Sequence, residues 1–413
     1  MRFSRRILYL DMSFVLQAYK NRQLEQALES RKLDGYFDYV ISVHPLAGLF
    51  PSEAQEFGVP RHTKLDDNHI FVEGTVGVTP WLRRLPAINL LIAQIQLLFQ
   101  LYRVCREERI DVIRIGDPYY LGLFGWLLAK LLGVPLVIRS CFDYDLLFAT
   151  SGKAVFPRLF RYRWLEKKIE TFIFARCDLV AGANLNNLQY AIKNGADSKK
   201  GVIFRYGNLI HPTHFTAPND RNDVAKILSN LRISNKFLLT ISRLEPMKQP
   251  HHNLLVLKEL LAWGHLVTFV FIGDGSMRAE LEKTAKEIGV FEHVRFTGNQ
   301  SQQFIADLLP YASAVLSPHM GRGLTEACLA GAPIVAYDYD WQGEIVKNGE
   351  TGFLVPDGDW NAMALRAHEL LLSSIKAKRL GSAARALALD MMEPKRLTQY
   401  EVSTYEKLLR GSL

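Results

Sequence analysis

Short apolar runs that read as strands alternate with longer amphipathic stretches that read as helices along almost the whole chain. Parallel strands need a crossover between them, and a helix is the usual one, so the pattern confines the chain to parallel sheets covered by helices. In the first half the predicted strands are 7–10, 39–43, 112–115, 136–139, 179–181 and 202–204, with helices such as 88–108, 120–132 and 160–175 between them. The second half repeats the alternation, with strands at 237–241, 267–272, 294–296, 314–316, 334–337 and 353–355. The polar segment 211–235, carrying two Pro and several Asn and Asp, reads as a linker. The expected architecture is α/β, with two Rossmann-like domains, 1–210 and 236–394, facing a cleft. At 413 residues the chain is long enough for two or three domains.

Residues 237–356 carry phosphate-site signals in order. The apolar run Leu238-Leu239-Thr240-Ile241 ends in a loop bearing Arg243 and, five residues on, Lys248. The run Phe269-Val270-Phe271-Ile272 enters the turn Gly273-Asp274-Gly275, where a missing Cβ lets backbone approach a ligand closely. The third glycine of G-x-G-x-x-G is absent, with Arg278 in its place, so dinucleotide binding is not supported. Gly323, Leu324, Thr325 and Glu326 open an Ala-rich helix whose free N–H groups and dipole suit a diphosphate. Each of these falls at the C-terminal edge of a parallel sheet, where open α/β folds bind ligands.

Taken together, the stretches S-R-L-E-P-M-K, F-I-G-D-G-S, V-R-F-T-G, T-E-A-C-L-A-G-A-P-I-V-A and G-E-T-G-F-L-V-P-D-G-D resemble the nucleotide-sugar domain of glycosyltransferase family 4. The resemblance implies a retaining enzyme of the GT-B fold, with a nucleotide sugar as donor and a glycan or lipid-linked molecule as acceptor. It further implies that the C-terminal amphipathic segment 397–409, within 395–413, packs back on the first domain. Breaking the bond from the anomeric carbon to a diphosphate puts negative charge on the leaving group, which Arg243 and Lys248 are placed to stabilise. Gly273, Asp274, Gly275, Phe296, Arg322, Gly323, Leu324, Thr325 and Glu326 fall on the donor side, Glu326 matching the glutamate that holds the ribose hydroxyls. The chain departs from the family pattern at the first glutamate. Eight positions before Glu326 stands Pro318, and the stretch 317–323 is about four residues short. Arg322 occupies that loop and is expected on the sugar or the diphosphate. The departure keeps a non-catalytic glycan-assembly partner in view, beside a nucleotide-sugar epimerase or a phosphorylase on the same fold.

The acceptor side offers less. Asp11-Met12-Ser13-Phe14 stands where relatives have a Gly-rich loop, and Asp143 and Asp145 are the candidate acceptor-orienting carboxylates, with helix capping as their other reading. No metal is assigned, and no cofactor is expected, since the donor is a substrate and cations with helix termini can replace a metal. Cys105, Cys141, Cys177 and Cys328 are scattered, which fits a reducing cytosol. The segments 85–102 and 121–138 are apolar but broken by Asn, Gln, Lys, Gly and Pro, so both read as parts of a soluble fold.

Residues 1–210 hold 28 Lys+Arg and 20 Asp+Glu; by difference from totals of 50 and 42, the remainder holds 22 of each. An anionic partner is therefore sought in the first half. Nucleic acid is not expected, because no recognised binding module is present. The excess concentrates in 153–176, where Arg158, Arg161, Arg163, Lys167 and Lys168 alternate with Phe156, Phe160, Tyr162 and Trp164. One reading is a basic, aromatic helix on anionic lipid at the inner membrane face; the other is a solvated face with its aromatics turned inward. The expected location is cytoplasmic, with peripheral membrane contact under the first reading.

Overall fold

The computed structural model describes residues 5–21, 24–157, 159–216 and 224–411. The chain divides into two compact units, one running to Leu209 and resuming at Pro394, the other Ile210–Glu393.

The first unit holds eight strands: β1 (Arg6–Leu10), β2 (Tyr39–His44), β3 (Arg61–Asp66), β4 (His69–Glu73), β5 (Val112–Ile115), β6 (Leu136–Ser140), β7 (Leu179–Gly182) and β8 (Gly201–Ile203). They form one sheet in the order β3-β4-β2-β1-β5-β6-β7-β8, parallel except for the β3–β4 pair. Strand side chains alternate between faces, so Leu8 and Leu10 join one core while Ile7 and Tyr9 join the other. On the first face lie the helices Pro86–Glu107, Tyr120–Leu132 and Arg163–Phe174, through Leu97, Leu101, Phe124, Leu128 and Ile173. Tyr120–Leu132 stops at Gly133, whose left-handed φ of 70° lets its N–H reach the Ala129 carbonyl at 2.8 Å.

On the opposite face the last helix, Pro394–Leu409, packs Tyr405 among Ile7, Val112, Val137 and Phe204. Its Glu401 forms a buried ion pair with Arg114 of β5, and Tyr405 Oη sits 3.3 Å from the same guanidinium. The hairpin β3–β4 is an addition to the predicted strands. Its outer strand, Arg-His-Thr-Lys-Leu-Asp, is polar and lies at the sheet edge, where charge discourages further pairing.

The second unit has six strands: β9 (Lys236–Ile241), β10 (Val267–Ile272), β11 (Val294–Gly298), β12 (Ala314–Ser317), β13 (Ile334–Asp338) and β14 (Phe353–Pro356). Their order is β11-β10-β9-β12-β13-β14 with every pairing parallel. The chain builds outward from β9 to β11, then returns to the other side of β9 to start β12. That reversal makes the crevice between the ends of β9 and β12 the switch point at which such sheets bind ligands. The described part of the polar segment 211–235 lies in this unit: His214 is buried, and its Nε2 sits 2.8 Å from Gln302 Oε1.

Candidate functional site: the strand ends of the second unit

The loop 242–249 that leaves β9 is clipped to the loop that leaves β10. Ser242 N–H donates to the Ile272 carbonyl (3.1 Å), Leu244 N–H to that of Asp274 (3.0 Å), and Met277 N–H to that of Leu244 (2.9 Å). The Glu245 carboxylate accepts from Ser276 N–H (3.1 Å) and Oγ–H (2.7 Å). Here the glycines acquire their physical reason. Gly273 has φ +128°, and a Cβ there would overlap the Ser242 carbonyl oxygen; at Gly275 it would lie 2.5 Å from the Leu244 oxygen. The close approach inferred from the sequence is thus made to the neighbouring loop, which the turn holds in place. Asp274 supports the same turn by accepting from Gly275 N–H at 2.8 Å.

This clipped loop presents Arg243, exposed, and Lys248, half-buried. Neither makes a side-chain hydrogen bond or ion pair among the described residues. Burial pulls the Lys248 ammonium below its ordinary value, the Arg243 charge adds to that, and Asp340 opposes it. Two cations close enough to repel, one partly desolvated, form a place where an anion is welcome.

Four residues, Pro318–Gly321, join β12 to the helix Arg322–Leu329. Gln342 braces this connection, accepting from the Ser317 hydroxyl and donating to the carbonyls of Pro318 (2.8 Å) and Tyr337 (3.0 Å). His319, almost fully buried, is pinned on three sides. Its Nδ1 lies 2.7 Å from the Met247 carbonyl, its Nε2 lies 2.9 Å from Asp357 Oδ1, and its ring stacks on Tyr339 at 3.7 Å. One imidazole therefore ties together the loops leaving β9, β12, β13 and β14. Sequence reading gave His319 and Asp357 no role, since their partners are distant in the chain.

The helix that follows begins at Gly321, which supplies no side-chain cap to the first turn. Gly323 sits against the end of β9, where a Cβ would come 2.9 Å from the Ile241 oxygen. Leu324 and Thr325 are fully buried, so their side chains belong to the core. What this end of the helix can offer a ligand is backbone N–H and its positive dipole end. Glu326 is also buried, and Arg322 Nε reaches its Oε1 at 3.3 Å one turn away. The two residues expected to serve different parts of the donor are thus partners of each other. Phe296 is engaged in packing: its ring stacks on Phe271 at 4.8 Å, and the Arg278 guanidinium lies 4.7 Å from its centroid.

In the first unit both acceptor-side candidates have structural work. Asp143 caps the helix Tyr144–Ser151, accepting from the N–H groups of Asp145 (3.0 Å) and Leu146 (2.9 Å). Burial raises the Asp145 pKa, but its bonds to Lys167 and Arg163 win and hold it below the usual carboxylate range. Arg163 is no surface cation either. It reaches Tyr119 Oη (2.7 Å), Asp145 (2.7 Å), Glu170 (3.2 Å) and Glu166 (3.4 Å), the last two fully buried. Charge reversal there cannot be the mild surface change that a solvated basic helix would allow. Tyr162 and Trp164 remain exposed, and Arg158 lies outside the described residues. The strand ends of this sheet carry two titratable groups that sequence reading missed. Burial pushes Asp117, after β5, up to about 7, and pushes His44, closing β2, down to about 4. Neither ring nitrogen of the buried His44 has a partner among the described residues. A single carboxylate or imidazole after an apolar run gives no sequence signal.

With this geometry established, likeness to known proteins becomes informative. Residues 225–387 match the family model described as glycosyl transferases group 1. The chain is 29% identical over 152 residues to 2-deoxystreptamine N-acetyl-D-glucosaminyltransferase of Niallia circulans, covering 36% of this chain and 39% of that protein. It is 25% identical over 271 residues to N-acetyl-alpha-D-glucosaminyl L-malate synthase of Bacillus anthracis, covering 58% of this chain and 68% of that one. The match thus spans about two-fifths of the first relative and about two-thirds of the second. Among solved structures, Anabaena HepE in complex with UDP and glucose superposes with a TM-score of 0.70 at 19% identity, covering 98% of this chain and 100% of that one. Sucrose-phosphate synthase of Thermosynechococcus elongatus gives 0.74 at 16% identity, covering 99% and 100%. The fold is the GT-B fold of glycosyltransferases, and the second unit carries the group 1 sequence pattern.

Proposed function

We propose that this chain is a retaining glycosyltransferase of family 4 that moves a sugar from a nucleotide sugar to a glycan or lipid-linked acceptor, in the synthesis of a glycoconjugate or surface polysaccharide at the cytoplasmic side of a membrane. The observation that carries the reading is the pair Arg243 and Lys248, free of side-chain partners among the described residues, on the loop beside the uncapped start of the helix Arg322–Leu329. HepE bound to UDP and to UDP-glucose supports a nucleotide-sugar donor. In the proposed reaction the anomeric C–O bond to the diphosphate breaks and its electron pair stays on the leaving oxygen. The acceptor oxygen bonds the anomeric carbon on the same face, and its proton passes to a donor phosphate oxygen. Arg243, Lys248 and the helix N–H groups neutralise the charge that grows on the diphosphate, with no cofactor in the scheme. Glu326, held by Arg322, meets the ribose hydroxyls.

A second reading, a non-catalytic glycan-assembly partner, draws on the connection Pro318–Gly321, which contains no carboxylate for the donor sugar. Release of nucleoside diphosphate from a panel of nucleotide sugars separates the two. Turnover supports the transferase, and binding without turnover supports the partner.

A further inference from the structure

Among the described residues one helix, Pro86–Glu107, is long and apolar enough to cross a membrane by length and composition. Its packing gives it another disposition. Ala93, Leu97, Leu101 and Cys105 are buried in the first unit, three of them in the core against the sheet. Its polar residues are spent on the same unit: Asn89 Oδ1 accepts from Val78 N–H at 2.8 Å, and Gln94 Nε2–H donates to the Thr75 carbonyl at 2.9 Å. One side of the helix is therefore bound into the fold along most of its length.

The other side is exposed and apolar. Ile88, Leu91, Ile92, Ile95 and Phe99 follow one another at helical spacing, with Leu85 just before them, and Phe99 is 66% exposed. Trp81, in the short turn Pro80–Arg84 that leads into the helix, is 93% exposed. The neighbouring helix Tyr120–Leu132 leaves Leu127 and Leu131 exposed one turn apart. Scattered surface leucines need no explanation, but a stripe of this length does. Its ends are cationic, with Arg84 before the stripe and Arg103 and Arg106 after it, all exposed. Residues 81–108 contain four arginines, with Glu107 and Glu108 at the C-terminal end, Glu107 exposed and Glu108 engaged with Arg6; Arg83 reaches Glu56 at 3.0 Å.

We propose that this stripe is a membrane-docking surface, on which the first unit rests with the helix Pro86–Glu107 lying in the plane of an anionic lipid interface. The charge pattern selects lipid over a second copy of the chain. Two copies meeting along this stripe, in either direction, would bring arginine ends against arginine ends, with Glu107 set against three exposed cations, Arg84, Arg103 and Arg106, on each copy. Anionic headgroups satisfy those cations while the acyl boundary takes Trp81, Ile88, Leu91, Ile95 and Phe99. This surface is distinct from the basic segment 153–176, whose Arg163 and Lys167 are engaged with Asp145, Glu166 and Glu170. It also stands independently of the donor reading, because it needs no sugar nucleotide.

The test is co-sedimentation of the full chain with phosphatidylcholine vesicles, with and without roughly one-third phosphatidylglycerol. Binding is expected to the anionic vesicles, to fall with added salt, and to drop at least about tenfold in two variants, Ile88→Gln/Leu91→Gln/Phe99→Gln and Arg84→Gln/Arg103→Gln. Both variants change exposed side chains, so thermal unfolding and nucleoside-diphosphate binding are expected to stay as in the wild type. Three results would overturn the proposal. The wild type could ignore anionic vesicles at low salt; binding could survive both variants but vanish with Trp164→Ala; or sedimentation velocity without lipid could show a dimer that the triple glutamine variant dissolves.

Discussion

Arg322 Nε and Glu326 Oε1 stand 3.3 Å apart across one turn of the helix Arg322–Leu329, the carboxylate buried and the guanidinium half in solvent. Loss of the cation leaves a buried carboxylate short of a partner, while loss of the carboxylate leaves a half-exposed guanidinium that water can reach. Arg322→Ala is therefore expected to lower Tm by about 2–4 °C, as for about 1 kcal/mol in a unit of this size, the figure being kept small because Arg322 is exposed. It is also expected to weaken nucleoside-diphosphate binding through the displaced Glu326. Calorimetry on Arg322→Ala, Glu326→Gln and the double variant checks this: coupled sites give a double-variant loss smaller than the sum of the singles, and additive losses would separate the two roles.

His319 is expected to act as a positioning residue for the cation loop. His319→Ala removes the bonds to Met247 and Asp357 and the stack on Tyr339 together, leaving a void among four loops. The expected outcome is about a tenfold loss of nucleoside-diphosphate affinity together with a lowered Tm. Asp357→Asn keeps the volume and one acceptor and is expected to retain most of both. Diphosphate affinity unchanged in His319→Ala would show that the cation loop holds itself.

The pH dependence follows from Lys248. Its folded pKa lies below 10.5, chiefly through burial and then through Arg243. Between that depressed value and 10.5 the unfolded chain binds the extra proton, so raising the pH through this window adds stability while discharging the cation proposed to meet the diphosphate. Diphosphate binding is expected to weaken on the alkaline side at lower pH than for an ordinary lysine. Asp340→Asn removes the opposing charge and is expected to move that limb to lower pH, whereas Arg243→Ala moves it higher. Affinity titrations across the alkaline range in the three proteins give the answer, and coincident limbs would contradict it.

Arg163 gives the corresponding test in the first unit. Arg163→Glu would set a new anion beside Glu166 and Glu170, both fully buried, and is expected to cost about 3–5 kcal/mol, enough to unfold the unit near its ordinary melting range. Chemical denaturation measures it. Stability within about 0.5 kcal/mol of the wild type would mean the arginine is a surface group after all.

Most strands of the second unit were legible as apolar runs, and Leu238–Ile241 leads into the loop that bears Arg243. The β3–β4 hairpin was not, because an edge strand reading Arg-His-Thr-Lys shows neither an apolar run nor clean alternation. At Gly273 and Gly275 residue type revealed the need for close approach, but not that the neighbour is the Ser242–Leu244 backbone. His319 stands 72 residues from Met247 and 38 from Asp357, so its contacts exist only after β9, β12, β13 and β14 have joined one sheet. Asp143 and Asp145 illustrate the converse, a carboxylate pair at a strand end whose partners turned out to be a helix start and two cations.

The most direct test of the account is steady-state release of nucleoside diphosphate from a panel of nucleotide sugars, run on the wild type, Arg243→Ala and Lys248→Ala. The wild type is expected to turn over at least one donor. Each variant is expected to lose at least ~10²-fold in kcat, with a smaller loss of donor affinity, as when one stabiliser of a developing charge is removed. Turnover by the wild type with kcat unchanged in both variants would contradict the assignment of the leaving diphosphate to these two cations.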